Sequence, residues 1–393
     1  MNIRFTTPLV AALAAALSLF GCGGGDGGIG GTGATPMGSL QVSATDAPSC
    51  GYDAVNLTIA KVRVHQSASA LDTDDGWSEI VLAPAKRIDL LALNNGLLED
   101  LGETPLPAGK YTQLRLVLAA NDAGHPLANS VLPSGGSETA LTTPSAQQSG
   151  LKLNADIDVP VGKVVRFALD FDACKSIVPR GNGGQYNLKP VITVIPVLSD
   201  AGLRIQGYVD ASIALGSTAI SAQLNGVAVK STPPDATGKF VLYPVPAGTY
   251  DLVVSASGHV AAVMTGVPVI AAAPTQVNTA AIPITPPTAA MRSVTGSVMP
   301  PSATVRALQT LTGGPSFEAA WGPVNATSGD FSLALPIGAP VQAGYVANPI
   351  ALLFVADLLA SSKFSLAATS NGTVQTQTID VSGAVAPVTF TFP

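Results

Sequence analysis

No long stretch of this chain repeats its apolar residues at the spacing of a helix face. Short runs alternate instead, each closed off by Gly, Pro, Asn or Asp. Val165, Phe167, Leu169 and Phe171 fall on one side of an extended run, and Leu114, Leu116 and Leu118 on one side of another. Successive strand side chains point to opposite faces, so this alternation marks strands packed on a core by one face. Between Val55 and Val64 the alternation changes parity at Ala60-Lys61, as a β-bulge requires. The best helical candidates are short, Leu97–Leu101 and Ile350–Leu359. The pattern predicts an all-β chain built from sandwiches. Composition agrees: 40 Gly and 31 Pro suit frequent turns, and 47% hydrophobic residues are ample for real cores. Charged residues reach only 11%, with a net charge of −6, so no nucleic-acid partner is expected.

The first residues set an address. One positive side chain, Arg4, precedes an apolar run from Leu9 to Phe20, the length of a secretory signal core and too short to span a bilayer comfortably. The run ends Leu19-Phe20-Gly21-Cys22, which resembles the lipobox of bacterial lipoproteins. The resemblance implies a signal peptide over residues 1–21 and a lipidated N-terminus at Cys22. Acyl chains there would hold the protein to a membrane, since each buried CH₂ adds about 0.8 kcal/mol. Gly23 rather than Asp follows the Cys, which by the same resemblance implies the outer membrane. Residues 22–37 then form a tether, whose Gly-rich part has a reach of about 20 Å. Gly25-Asp-Gly27-Gly-Ile-Gly30 matches a dinucleotide fingerprint, but no strand precedes it and a Pro follows, so it is read as tether. With Cys22 lipidated, Cys50 and Cys174 remain. In an oxidising compartment they are expected to form one disulfide, the alternative being two free thiols.

Three modules follow. Residues 38–198 contain Thr45-Asp-Ala-Pro48, Tyr52-Asp-Ala-Val-Asn-Leu-Thr-Ile, Val62-Arg-Val-His65, Leu106-Pro-Ala-Gly-Lys-Tyr111, Phe171-Asp-Ala-Cys-Lys-Ser-Ile-Val178 and Tyr186-Asn-Leu-Lys-Pro-Val191. In order and spacing they resemble a bacterial lipoprotein family, domain of unknown function 4382, which implies a β-sandwich in a surface or periplasmic setting and no particular activity. Residues 202–287 carry Arg204-Ile-Gln-Gly-Tyr-Val209, Pro234-Asp-Ala-Thr-Gly-Lys-Phe-Val-Leu242 and Val245-Pro-Ala-Gly-Thr-Tyr-Asp-Leu-Val-Val254. These resemble the carboxypeptidase-regulatory-like, transthyretin-type sandwich, grouped with carbohydrate-binding-like folds. Residues 291–393 look like a decayed copy of that module. Val294-Thr-Gly296 aligns with Ile205-Gln-Gly207, Ser328-Gly-Asp-Phe331 with Thr237-Gly-Lys-Phe240, and Leu335-Pro336 with Val245-Pro246. This copy lacks the Tyr of the third strand. The turn Pro107-Ala-Gly-Lys-Tyr111 uses the same chemistry as Pro246-Ala-Gly-Thr-Tyr250.

Catalytic constellations are scarce. There is no Gly-x-Ser-x-Gly elbow and no His-Glu-x-x-His, and His65, His125 and His259 lie far apart in sequence. Ser149-Gly-Leu-Lys152 matches Ser-x-x-Lys without the companion Lys-Thr-Gly. Leu71-Asp-Thr-Asp-Asp-Gly-Trp77 only faintly resembles a calcium loop, because Ala83 stands where a bidentate Glu is needed. Asp46, Asp53, Asp170 and Asp172 are weighed as a cation cluster and read as turn-capping carboxylates. No enzyme, metal or cofactor is expected. A glycan platform needs an exposed aromatic ring, and Trp77, Trp321, Tyr52 and Tyr186 are the candidates, all beside turns. Lys175 and Lys189 are read as a solvated rim. The expected function is a non-catalytic cell-envelope lipoprotein at the outer membrane, facing the periplasm or the cell surface. It binds glycan or protein ligands through sandwich loops. The alternative is a structural lipoprotein that docks a protein complex at that membrane.

Overall fold

Alternation does produce strands almost everywhere it occurs. Strand takes 56% of the chain and helix 4%, so the fold is all-β. The computed structural model describes residues 35–46, 51–143, 146–147, 149–198 and 201–393. Cys22, Cys50, the signal run and most of the tether lie outside these residues, as does the side chain of Asp46.

The strands form six sheets among the described residues, and the buried apolar side chains gather chiefly between pairs of them. In the first pair, Met37–Asp46 and Val164–Phe171 run parallel at the centre of a four-stranded sheet. Its apolar face, with Leu40 and Val42, meets an eight-stranded sheet centred on Tyr52–His65 and Gly109–Leu118, with Leu57, Ile59, Val62 and Leu116. The predicted bulge is present: the register of Tyr52–His65 shifts between Ile59 and Lys61 against both neighbouring strands.

The second and third pairs share one topology. A three-stranded sheet has Ile205–Tyr208 between Lys239–Leu242 and Thr275–Gln276 in the second, and Ala290–Met299 between Asp330–Ile337 and Val388–Thr391 in the third. In each, one neighbour is antiparallel and the other parallel. The repeat anchors coincide in space: Gly207 pairs with Phe240, and Gly296 with Phe331. A Cβ on either glycine would meet the partner Phe ring, which is why only Gly fits beneath it. Gly238 and Gly329 both take positive φ, at 81° and 77°, in the turn that delivers that Phe.

One stretch departs from this parallel. Val341–Gly344 and Val355–Ala356 lie in the sequence read as the third module, yet they extend the six-stranded sheet of the second pair. Val341–Gly344 runs parallel to Ala262–Val269 there. The chain returns to the third pair at Lys363–Ser370. Gly338 and Ser362 close the neck of the excursion with two hydrogen bonds, Ser362 N–H to Gly338 O at 2.8 Å and Gly338 N–H to Ser362 Oγ at 3.0 Å.

Both short helical candidates are corrected. Leu97–Leu101 runs into the strand Glu99–Pro107, which pairs with Met37–Asp46. Ile350–Leu359 holds only the two-residue strand and the start of a 3-10 turn, Leu358–Ala360, capped by Asp357. One helical turn does occur, Ala173–Ser176, where the Asp172 carboxylate accepts the Lys175 N–H at 3.0 Å.

Residues Pro36–Pro393 form one unit because the sheet pairs are stapled together. Ala168, Val197 and Tyr243 bury a small apolar contact between the first and second. Asn95, held at a φ of 52°, spans the same seam: its N–H donates to Thr232 Oγ1, and its Oδ1 accepts the Val241 N–H. Between the second and third, Val253, Ala261, Val263, Leu311 and Phe317 pack as one cluster. Buried Gln223 completes that seam, accepting the Glu318 N–H at 2.7 Å and donating to the Glu318 carbonyl at 3.0 Å.

Candidate functional site

The second sheet pair covers the outer face of Val164–Phe171, so that strand is buried on both sides from Phe167 onward. Asp170 therefore points out of the first core into a seam, where it pairs with Lys230 of the edge strand Val227–Thr232. Both residues are buried, and Lys230 also donates to Thr45 Oγ1 at 3.3 Å. Burial pushes the Asp170 carboxyl above its ordinary value, and the Lys230 ammonium pulls against that shift.

From this pair a charged chain runs toward the third sheet pair. Lys175 Nζ meets Glu318 at 2.7 Å and Asp172 at 3.5 Å, and Arg306 meets the other Glu318 oxygen at 3.5 Å. Arg306 also donates to the Gly226 carbonyl at 2.7 Å. Burial works against the Lys175 ammonium, but Glu318 and Asp172 outweigh it and raise its pKa above the usual lysine value. Carboxylates and cations from three separated stretches thus meet at one junction.

A cavity of about 390 Å³ opens there, with Asp172, Lys175, Lys230, Arg306, Glu318 and Trp321 on its walls. A second, of about 360 Å³, adjoins it and is lined by Lys175, Asn187, Lys189, Ser302, Thr304 and Trp321. The two share Lys175, Thr304 and Trp321. Half-buried Trp321 stands opposite Arg306 on the edge strand Ser316–Gly322. The junction is a cleft carrying one aromatic ring among hydroxyls, an amide, paired charges and apolar side chains such as Leu188, Val191, Val229 and Val324.

Of the four aromatic candidates, Trp321 lines this cleft, and Trp77, Tyr52 and Tyr186 do not. Trp77 lies on the outer face of the eight-stranded sheet, with the Arg63 guanidinium 4.6 Å and the Arg115 guanidinium 5.0 Å from its ring centre. Its Nε1–H donates to the Leu71 carbonyl at 2.9 Å, so it closes the loop 71–77 onto the sheet. Tyr52 and Tyr186 are brought together, edge to face at 6.0 Å, and pack against the first core. Burial, helped by Tyr186, pushes the Tyr52 hydroxyl up to about 12. Lys175 is held in the cleft by Glu318 and Asp172 rather than on a solvated rim, whereas Lys189 stays exposed, as a rim residue does, at the mouth of the smaller cavity. Arg306, Glu318 and Lys230 were missed by sequence reasoning. Their only signal is charge within strands of a chain poor in charge.

The other motifs resolve into structure. Asp74 accepts the Leu71 N–H at 2.9 Å within the acidic loop, and Asp53 accepts from Ser134 Oγ at 2.6 Å. His65 accepts the Ser67 N–H on Nδ1 and faces the Asp75 carbonyl through Nε2, so the Nε2–H tautomer satisfies both contacts. Among the described residues no group of three or more metal-ligating side chains gathers.

No curated protein matches the chain. Among solved structures, the chain is similar to a type II cohesin–X-dockerin complex from Acetivibrio cellulolyticus, a C-terminal interface mutant. The two are 23% identical over 22% of this chain and 57% of that one, at a TM-score of 0.19. The match thus spans just over half of that protein. A streptococcal ancillary pilin is 9% identical over 90% of this chain and 98% of its own, at a TM-score of 0.17. Residues 37–190, which make up most of the first sheet pair, match the model of the family described as a domain of unknown function, DUF4382.

Proposed function

We propose that this is a non-catalytic lipoprotein of the cell envelope that binds a glycan in the cleft where its three sheet pairs meet. One observation carries the reading: Trp321 is a wall of two adjoining cavities that place hydroxyl, amide and charged groups among apolar side chains. A pyranose presents apolar C–H faces and a belt of hydroxyls, which an aromatic ring beside hydrogen-bonding groups complements. Trp321, Thr304, Arg306 and Glu318 stand on paired strands, so little ordering entropy opposes their part in binding.

The test is calorimetric titration of Pro36–Pro393 with a panel of neutral and acidic oligosaccharides. Saturable binding to at least one is expected, lost in Trp321→Ala and partly kept in Trp321→Phe. Absence of binding across the panel, or full affinity in Trp321→Ala, would overturn the reading.

The address belongs to the same proposal. Cys22 is lipidated and the tether holds the folded part off the outer membrane, on its periplasmic face or at the cell surface. Mass spectrometry of the membrane-extracted N-terminal peptide tests this. The Cys50–Cys174 disulfide is likewise proposed. Asp46 and Phe171 are paired at the same end of adjacent parallel strands, and the two cysteines follow them four and three residues later. That start is compatible with the short Cα separation a disulfide needs. The second sheet pair is read as a carboxypeptidase-regulatory-like module, supported by its strand, Asp/Gly turn, strand, Pro-Ala-Gly turn and strand order.

A second reading, a structural protein that docks a complex at the membrane, is favoured by one specific feature. The stretch 331–356 contains no charged residue. Its excursion exposes Ile350 at 97% and Leu353 at 80%, and Leu358 just beyond it at 76%. Exposed apolar groups in such a cluster mark contact surfaces.

A further inference from the structure

Three of the four cations in the cleft are matched by carboxylates: Lys230 by Asp170, Lys175 by Asp172 and Glu318, and Arg306 by Glu318. Lys189 is different. It lines the smaller cavity, its ammonium donates to the Ser302 carbonyl, and among the described residues it forms no ion pair. Its side chain is exposed, with no acidic neighbour to balance it. It stands as an uncompensated cation at the mouth of the cavity that Trp321 walls.

We propose that this end of the cleft takes a uronic-acid unit of a glycan: its carboxylate on the Lys189 ammonium and its C–H face toward Trp321. This rests on the glycan reading above and adds the charge of the sugar. The two features ask for two different properties of one ligand: an anion and an apolar ring face. A uronate offers both. A neutral hexose offers only the second, and a simple inorganic anion only the first. Arg306 and Lys175 do not provide the anion site, because Glu318 already occupies both.

The test is titration of Pro36–Pro393 with a galacturonic-acid hexamer and with its full methyl ester, which keeps the ring and most hydroxyls and removes the charge. The acid is expected to bind about tenfold more tightly than the ester. Lys189→Met should bind the two alike, at the affinity the parent shows for the ester, while Lys189→Arg keeps the preference. Added salt should weaken the acid and leave the ester unchanged. Unfolding midpoints of the variants close to that of the parent exclude a folding defect. Equal binding of acid and ester by the parent, or a preference that survives in Lys189→Met, overturns this inference while leaving the glycan reading intact. If no neutral or acidic saccharide binds, the glycan reading fails and this inference with it.

Discussion

The second and third sheet pairs share strand order and glycine–phenylalanine anchors, yet they are attached and finished differently. The second meets the first through the buried Lys230–Asp170 pair, while the third meets it through the partly exposed Lys175–Glu318 pair. The second turns tightly at Pro246 into its own sheet. The third leaves at the equivalent Pro336, extends its neighbour's sheet and returns at Lys363. The difference teaches that this topology tolerates a long insertion at one turn, provided the anchor glycines and the mouth of the insertion hold.

The largest expected effect tests the two attachments. Lys230→Met leaves Asp170 buried without its counter-ion, which should cost about 3–5 kcal/mol in urea unfolding at neutral pH. Glu318→Gln removes the charge from a wetter network but keeps a hydrogen-bonding group, and about 1 kcal/mol is expected. The sign with pH is fixed by Asp170, whose folded pKa is raised. Such a carboxyl supports folding most below its unfolded value near about 4, and this support fades as pH rises through the folded value. The Lys230→Met deficit should therefore shrink on acidification toward pH of about 4. The double variant Lys230→Met/Asp170→Leu should recover most of the loss at pH 7. A deficit that does not change with pH would show that Asp170 is not the group left unpaired.

Next come the anchors. Gly207→Ala drives a methyl into Phe240 and the side chains of Asn278 and Val277. Gly296→Ala drives one into Phe331 and the backbone carbonyl of Val388. Overpacking costs of about 2 and 3 kcal/mol are expected, larger for Gly296 because the Val388 carbonyl belongs to the paired strand and cannot rotate away. Equal losses would mean that the Phe ring, common to both, is the whole obstacle.

Replacing Ala339–Ser361 by a two-glycine link tests the excursion itself. The third core should survive, since no residue of that stretch belongs to it. The strand Ala262–Val269, paired over Ala262–Thr265 by Val341–Gly344, would become an open sheet edge. Concentration-dependent self-association by light scattering is expected. Monomers that have lost the third core would instead show that the excursion is integral to that sheet pair.

What could be read in advance follows the range of the interactions. The bulge at Ala60-Lys61, the Asp/Gly turns and the glycine–phenylalanine repeat depend on backbone geometry within a strand or turn, so local residues betray them. The excursion has no such mark: an apolar run such as Ile350–Leu359 reads as a short helix when the partner sheet is unknown. The cleft was least legible, because Lys189, Lys230 and Trp321 belong to three stretches that meet only after the sheets are packed. Trp77 was favoured for lying beside a turn, but the turn folds it onto Arg63 and Arg115, and no local pattern announces a pair of arginines two strands apart.

The smallest effect concerns the turn where the two pairs diverge. Tyr250 donates its hydroxyl to the Pro246 carbonyl at 2.9 Å, and Tyr111 does the same to Pro107 in the first pair. The residue three positions after each Ala thus ties the end of its Pro-Ala-Gly turn to the strand that follows. The third pair has Pro340 at the corresponding place, and the Gly338–Ser362 bonds join the turn to the returning strand across the excursion. Tyr250→Phe and Tyr111→Phe keep the packed ring and lose one hydrogen bond, so each should cost about 1 kcal/mol. Ser362→Ala removes only the Oγ acceptor of the substitute clasp and keeps its backbone bond. Its cost should be no larger than about 1 kcal/mol, and it should add independently to Tyr250→Phe because the two turns share no partner. A Ser362→Ala loss well above that of Tyr250→Phe would mean that the clasp also holds the excursion on its neighbour's sheet. The third pair would then depend on the second through that neck as well as through their shared apolar seam.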